Sequence, residues 1–244
     1  YSYFNGSFYK HPIHCNLFGM QNEIISKCLI SFIDNYFKAN KKKPSNFDEW
    51  LEFNLGKDIS EIFSRKYNNK VWNYDLKKIG IDWINNKTYR PNIKEIIEGA
   101  IGLNEDSTLY YYQNFRYPKT GGFVSFFHEL TNQENIYVNS QCTSIDFENN
   151  ELIVNSREKY KFSDIISTLP LPELVKITKN IPDSIELAAK RLYNNKIMLL
   201  NFELNDINNF VLNDTPKWIY FYDDDIPFAR GYFPHLLSDR CTPI

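Results

Sequence analysis

The sequence predicts an α+β fold, and three observations carry that prediction. Apolar residues recur at helical spacing through about the first hundred residues, the pattern turns toward alternation after Tyr110, and β-branched and aromatic runs separated by Asn, Asp and Pro clusters fill the C-terminal part. At 244 residues and 43% hydrophobic, the chain is long enough to bury one or two cores.

The first element runs from about Met20 to Phe37, where Ile24, Ile25, Cys28, Leu29, Phe32, Ile33 and Tyr36 line one face of an amphipathic helix. Residues 38–46 form its exit. Ser45 and Asp48 stand at capping-box spacing, Asp48 and Glu49 add negative charge to a first turn, and Gly56 ends this second helix. From Asp58 to Trp72, Ile59, Ile62, Phe63, Tyr67, Val71 and Trp72 again repeat at helical spacing. A further helix is predicted from Pro91 to Gly99, with Pro91 as its first helical residue.

Strands are predicted around Ile136 and Val138, at Leu152-Ile153-Val154 after the turn-forming Asn149-Asn150, and at Ile165-Ile166 leading into Thr168 and Pro170. Lys196 to Leu204, Trp218 to Tyr222 and Phe228 to Phe233 are predicted to form an antiparallel sheet. No internal repeat is present.

Composition narrows the function classes. A formal charge of −2 gives no electrostatic case for nucleic acid or an anionic membrane surface, and Lys41-Lys42-Lys43 before Pro44 reads as a solvated loop. Cys15, Cys28, Cys142 and Cys241 form no C-x-x-C pair, so reduced thiols in a cytoplasmic setting are expected. No apolar run approaches the roughly 18 residues that span a bilayer. The sequons at Asn5, Asn86 and Asn213 carry little weight in an Asn-rich chain. A start at Tyr1 and an end at Cys241-Thr242-Pro243-Ile244 suggest a piece of a longer protein.

Generic catalytic motifs are mostly absent from the sequence. There is no nucleophile elbow, no zinc-binding helix, no Walker loop and no G-x-G-x-x-G. His11 and His14 flank Pro12, which breaks helical spacing, and lack an evident third ligand, so no metal site is expected. Gly121-Gly122 lets a loop pass close to something bulky at the start of a helix. Trp218-Ile219-Tyr220-Phe221 and Pro227-Phe228-Ala229-Arg230 put aromatic rings and one guanidinium on adjacent strands. An arginine fork suits phosphate oxygens, and a tyrosine hydroxyl can donate to them.

Five segments in order, Phe47-Asp48-Glu49-Trp50, Gly56-Lys57-Asp58-Ile59, Tyr67-Asn68-Asn69-Lys70-Val71-Trp72, Ile81-Asp82-Trp83 and Phe115-Arg116-Tyr117-Pro118 with Gly121-Gly122, resemble the UDP-galactopyranose mutases and their protoporphyrinogen-oxidase-like, amine-oxidase-like relatives. The resemblance extends through Asn139 to Ile145, Ile165 to Pro170 and Trp218 to Arg230, nearly the whole chain. It implies a division into residues 1–114 as a mainly helical substrate or cap domain, 115–175 as a portion of a FAD-binding domain, and 176–244 as the antiparallel substrate-domain sheet. It also places the family's glycine-rich FAD loop before Tyr1 and a second flavin-binding segment after Ile244. The isolated chain is therefore expected to hold FAD poorly and to be inactive by itself.

By the same resemblance, Cys142 lies where main-chain groups meet the adenine of FAD, Thr168 lies on a strand of the flavin domain, and Gly121 and Gly122 lie near the flavin. Tyr220 and Arg230 match the residues that bind the diphosphate, and Asn68 and Trp72 match the nucleotide pocket. Lys87 replaces a second diphosphate arginine, Tyr112 replaces an Asn, and His14 replaces a uracil-side Gln; Lys87 keeps the charge but loses the bidentate fork.

Three functions follow from this resemblance. The first is a mutase-like isomerase of polysaccharide biosynthesis, in which a reduced flavin attacks the anomeric carbon of a nucleotide sugar so that the ring recloses in the other size. The second is a FAD-dependent oxidoreductase of the amine oxidase or protoporphyrinogen oxidase type. The third is a non-catalytic nucleotide-sugar binding module. Fold alone does not choose among them.

Overall fold

The chain opens with a hairpin rather than a helix. β1 (Ser2–Phe4) and β2 (Ser7–Tyr9) are joined at Asn5-Gly6, both with positive φ, as a two-residue primed turn requires. The structure is a computed structural model describing residues 1–84, 89–103, 116–131, 136–202 and 217–240.

Helix α1 (Asn22–Phe37) buries Cys28 and Phe32, two of the residues predicted to line its inner face. Helix α2 (Phe47–Leu55) starts one residue later than its predicted cap. The Asn46 side chain accepts the Glu49 N–H at 3.0 Å, while the Glu49 carboxylate reaches back to the Ser45 N–H and hydroxyl, each at 2.9 Å. Both residues are cap formers, and the chain uses Asn46, whose backbone is extended.

Gly56 ends α2 with φ +77, and a Cβ there would lie 2.7 Å from the Ser31 carbonyl oxygen, so only glycine lets α1 approach this closely. α3 (Lys57–Ile59) and α4 (Arg65–Trp72) are joined through a π-helical turn, Ser60–Ser64. Arg65 anchors α4 to α2 with a fork on Asp48, at 2.6 and 3.1 Å, and a third bond to Glu52 at 2.8 Å. α5 (Ile93–Ala100) begins two residues later than predicted: Asn92 and Glu95 form a capping box, and Pro91 precedes the cap instead of being the first helical residue.

β6 (Trp218–Phe221) and β7 (Arg230–Tyr232) pair antiparallel as predicted. The N-terminal hairpin extends this pair, with β1 lying parallel to β6, so the sheet order is β2-β1-β6-β7. Its inner face packs on the helices: Phe63 meets Phe4 and Tyr222 with ring centroids 5.0 and 6.0 Å apart. Ile13, Cys15, Leu17, Phe32, Ile59 and Ile96 complete this core.

The chain divides into two units, Tyr1–Phe126 with Leu204–Ile244, and Phe127–Glu203. In the second, after α6 (His128–Thr131), β3 (Cys142–Asp146), β4 (Glu151–Val154) and β5 (Glu158–Lys161) form an antiparallel meander. The predicted turn at Asn149-Asn150 joins β3 to β4, with Asn150 at positive φ. Helices α7 (Leu171–Ile177) and α8 (Asp183–Lys190) follow.

Three predicted strands differ. Residues 136–138, 165–168 and 196–202 adopt no strand; residues 203–204 of the last run lie outside the described residues. Ile166 is 95% exposed and Ile197 and Met198 are each 85% exposed. β-rich composition makes a strand only when a neighbour takes up its main-chain hydrogen bonds, and none of the described residues pairs with these segments. Among the described residues, no helix is long and apolar enough to cross a membrane.

Candidate functional site

Register places four side chains in one row across the first sheet. Tyr9 on β2 is opposite Ser2 on β1, Ser2 is opposite Tyr220 on β6, and Tyr220 is opposite Arg230 on β7. Partners in a ladder share a face, so all four project to the side where α4 lies. The Arg230 guanidinium carbon is 4.9 Å from the centre of the Tyr220 ring, a cation–π geometry, and its Nη2 donates to the Tyr67 hydroxyl at 2.8 Å. Arg230 remains exposed while Tyr67 and Tyr220 are half-buried. An accessible cation held by two phenols is a ready anion ligand.

Helix α4 supplies Tyr67 because Lys66 and Lys70 tie the same side of it to the end of β6. Lys66 pairs with Asp224 at 2.7 Å; Lys70 donates to the Phe221 carbonyl at 3.1 Å and to that of Asp223. Tyr67 also meets the Tyr220 and Tyr222 rings at 5.7 and 5.3 Å. Burial pushes its phenol up, and Arg230 opposes the shift.

Behind Tyr220 stands His11, whose ring is 4.0 Å from it and only 13° from parallel, with Nδ1 2.9 Å from the Ser2 hydroxyl. Burial, then the neighbouring His14 and Arg230, lower the His11 pKa to about 3. Burial lowers that of His14 to about 4. Both rings are neutral near pH 7, so Arg230 is the fixed positive charge of the row.

The remaining sequence-predicted residues are less concentrated. Asn68 and Trp72 share a face of α4 one turn apart. The Asn68 amide donates to the Ser64 carbonyl at 2.8 Å, and Trp72 packs against Phe47 and Trp83 at 6.3 and 5.3 Å. His14 stacks loosely on Tyr89, centroids 6.3 Å apart, and its buried Nε2 has no hydrogen-bond partner among the described residues. Lys87 and Tyr112 lie outside the described residues. Among the described residues no group of three or more His, Cys, Asp or Glu could hold a metal ion.

Of the residues expected near a flavin, Gly121 and Gly122 both have positive φ, but their N–H groups donate to the Asp239 carbonyl at 2.8 Å and the Ser238 hydroxyl at 3.0 Å. Cys142 opens β3, the outer strand of its sheet, whose far edge has no strand beside it among the described residues. Thr168 is exposed and lies on no strand, contrary to its expected placement, because residues 165–168 find no described pairing partner. The Gly121 and Gly122 N–H groups are thus already bonded within their own unit, and Cys142 lies on an open strand edge of the other.

Sequence reasoning left Tyr67, Ser2 and His11 out of the site. Tyr67 adjoins Asn68 in the motif that suggested a nucleotide pocket, so its signal was present. For Ser2 and His11 the signal was the Asn5-Gly6 hairpin turn, which brings the N-terminal strand into the sheet.

An α+β chain that presents an arginine between two tyrosines at the junction of a small sheet and a helix is therefore what the fold and site define. No family model matches the sequence. The fold is similar to that in the crystal structure of a reduced UDP-galactopyranose mutase, with a TM-score of 0.78 and 20% sequence identity over 97% of this chain. The chain spans 53% of that protein, about half its length.

Proposed function

We propose that this chain is the substrate-side part of a UDP-galactopyranose mutase-like enzyme that acts on a nucleotide sugar and uses FAD in the complete protein. The observation that carries the reading is Arg230, exposed and aimed by Tyr67 and Tyr220 on a fold similar to that of a mutase.

In this reading Arg230 and Tyr220 hold the diphosphate oxygens. The guanidinium keeps N–H groups in a planar fork, and the Tyr220 hydroxyl donates to a second oxygen. Lys87 adds a second positive charge. Trp72, Asn68 and His14 shape the nucleoside side: the indole offers an aromatic face, the amide and imidazole offer polar edges, and burial keeps the imidazole neutral. Gly121, Gly122 and Cys142 are assigned to the cofactor side by the resemblance to the mutases alone. FAD, when bound, supplies the chemistry at the anomeric carbon, while these side chains fix the sugar's position through its diphosphate.

The test uses the full-length gene product: reduce its flavin with dithionite, add UDP-galactofuranose, and separate the nucleotide sugars by chromatography. Conversion to UDP-galactopyranose, lost in Arg230→Ala, supports the reading. A yellow, reducible protein without conversion would transfer the assignment to an oxidoreductase, and a colourless protein that binds UDP would transfer it to a binding module.

A further inference from the structure

We infer that His11 is a positioning residue for Arg230, acting through Tyr220. The inference rests on the reading of Arg230 as a diphosphate ligand.

Tyr220 has Ser2 on one side and Arg230 on the other. Ser2 is fully buried and is too small to support a phenol ring. The His11 imidazole fills the space above it, 2.9 Å from the Ser2 hydroxyl and 4.0 Å from the Tyr220 ring at 13° to parallel. A parallel ring at that distance covers the β1-side face of the phenol, which leaves the β7-side face to the guanidinium, 4.9 Å from the ring centre. The result is a three-layer stack: His11, Tyr220, Arg230.

Each layer has its own anchor. Ser2 holds His11, strand β6 holds Tyr220, and Tyr67 holds the far end of Arg230. Without His11 the phenol could rotate toward the space over Ser2, and the cation would lose the surface on which it rests. Burial keeps the imidazole neutral, so it supports the arginine without adding a second charge beside it. A side chain fixed before the anion arrives loses less freedom on binding.

The experiment compares wild type, His11→Ala, His11→Phe and Arg230→Ala in the full chain by two readouts. One is 15N relaxation of the Arg230 Nε–H without ligand; the other is calorimetric affinity for UDP. The expected result is an ordered Arg230 in wild type and His11→Phe, a mobile one in His11→Ala, and a roughly threefold to tenfold weaker UDP affinity in His11→Ala that the flat phenylalanine ring restores. A thermal melt of each variant accompanies both readouts, and His11→Phe keeps the test open should His11→Ala fail to fold. An Arg230 as ordered in His11→Ala as in wild type overturns the positioning role. UDP affinity unchanged in Arg230→Ala overturns the diphosphate reading, and with it the part His11 would play in binding.

Discussion

Acid should destabilise this chain through two buried imidazoles, and the size of the effect follows from the structure. His11 and His14 are lowered from 6.5 to about 3 and about 4, burial being the main cause in each. A base whose folded-state pKa is depressed stays neutral in the fold while the unfolded chain takes up its proton. The unfolded state is therefore favoured as pH falls below 6.5, and the loss accumulates until the folded values are reached. Between about pH 7 and pH 4.5, linkage gives a loss of roughly 2.5 kcal/mol for each imidazole and about 5 kcal/mol for both. That is comparable with the whole stability of a typical domain, about 5–15 kcal/mol. Urea unfolding followed by tryptophan fluorescence at both pH values, on wild type and His14→Gln, isolates one imidazole: the pH-dependent loss should shrink by about 2.5 kcal/mol in the variant. An equal loss in the two proteins would refute the buried, neutral state of His14.

Three further outcomes are expected. Gly56→Ala forces a Cβ to 2.7 Å from the Ser31 carbonyl at φ +77 and should lower the unfolding free energy by about 2–4 kcal/mol in urea. Phe63→Ala removes the ring that joins Phe4 to Tyr222 and should cost about 3–5 kcal/mol, read from the shift in thermal midpoint. Asn92→Ala breaks the capping box of α5 and should cost about 1 kcal/mol, with faster amide exchange confined to that helix's first turn.

The helices were legible because their information is local. The apolar spacing of residues 24–36 is visible without a partner, and α1 buries Cys28 and Phe32 on the predicted face. Helix starts were legible to within one residue at α2 and two at α5. Ser45 and Asn46 have similar chemistry, and the folded chain places the Asn46 side chain on the Glu49 N–H. The hairpin of β1 and β2 was missed because three-residue strands carry no periodicity, although Asn5-Gly6 is a strong turn signal. At residues 196–202 composition pointed to a strand, yet exposed Ile197 and Met198 show no inward face.

Within the site, Tyr220 and Arg230 could be read from the sequence as an aromatic ring and a guanidinium on neighbouring strands, and β6 and β7 do oppose them. The α+β class, the apolar faces of the helices and the chemical character of the Tyr220–Arg230 pair were determined by the sequence alone, since each depends on residue types at short spacing. Only the tertiary structure decided that β1 joins β6 in parallel, that Ser2 therefore lies beside Tyr220, and that His11 and Tyr67 meet the same ring system from opposite ends of the row. Strand register is a property of a pair of segments far apart in the chain, and no spacing within either segment records it.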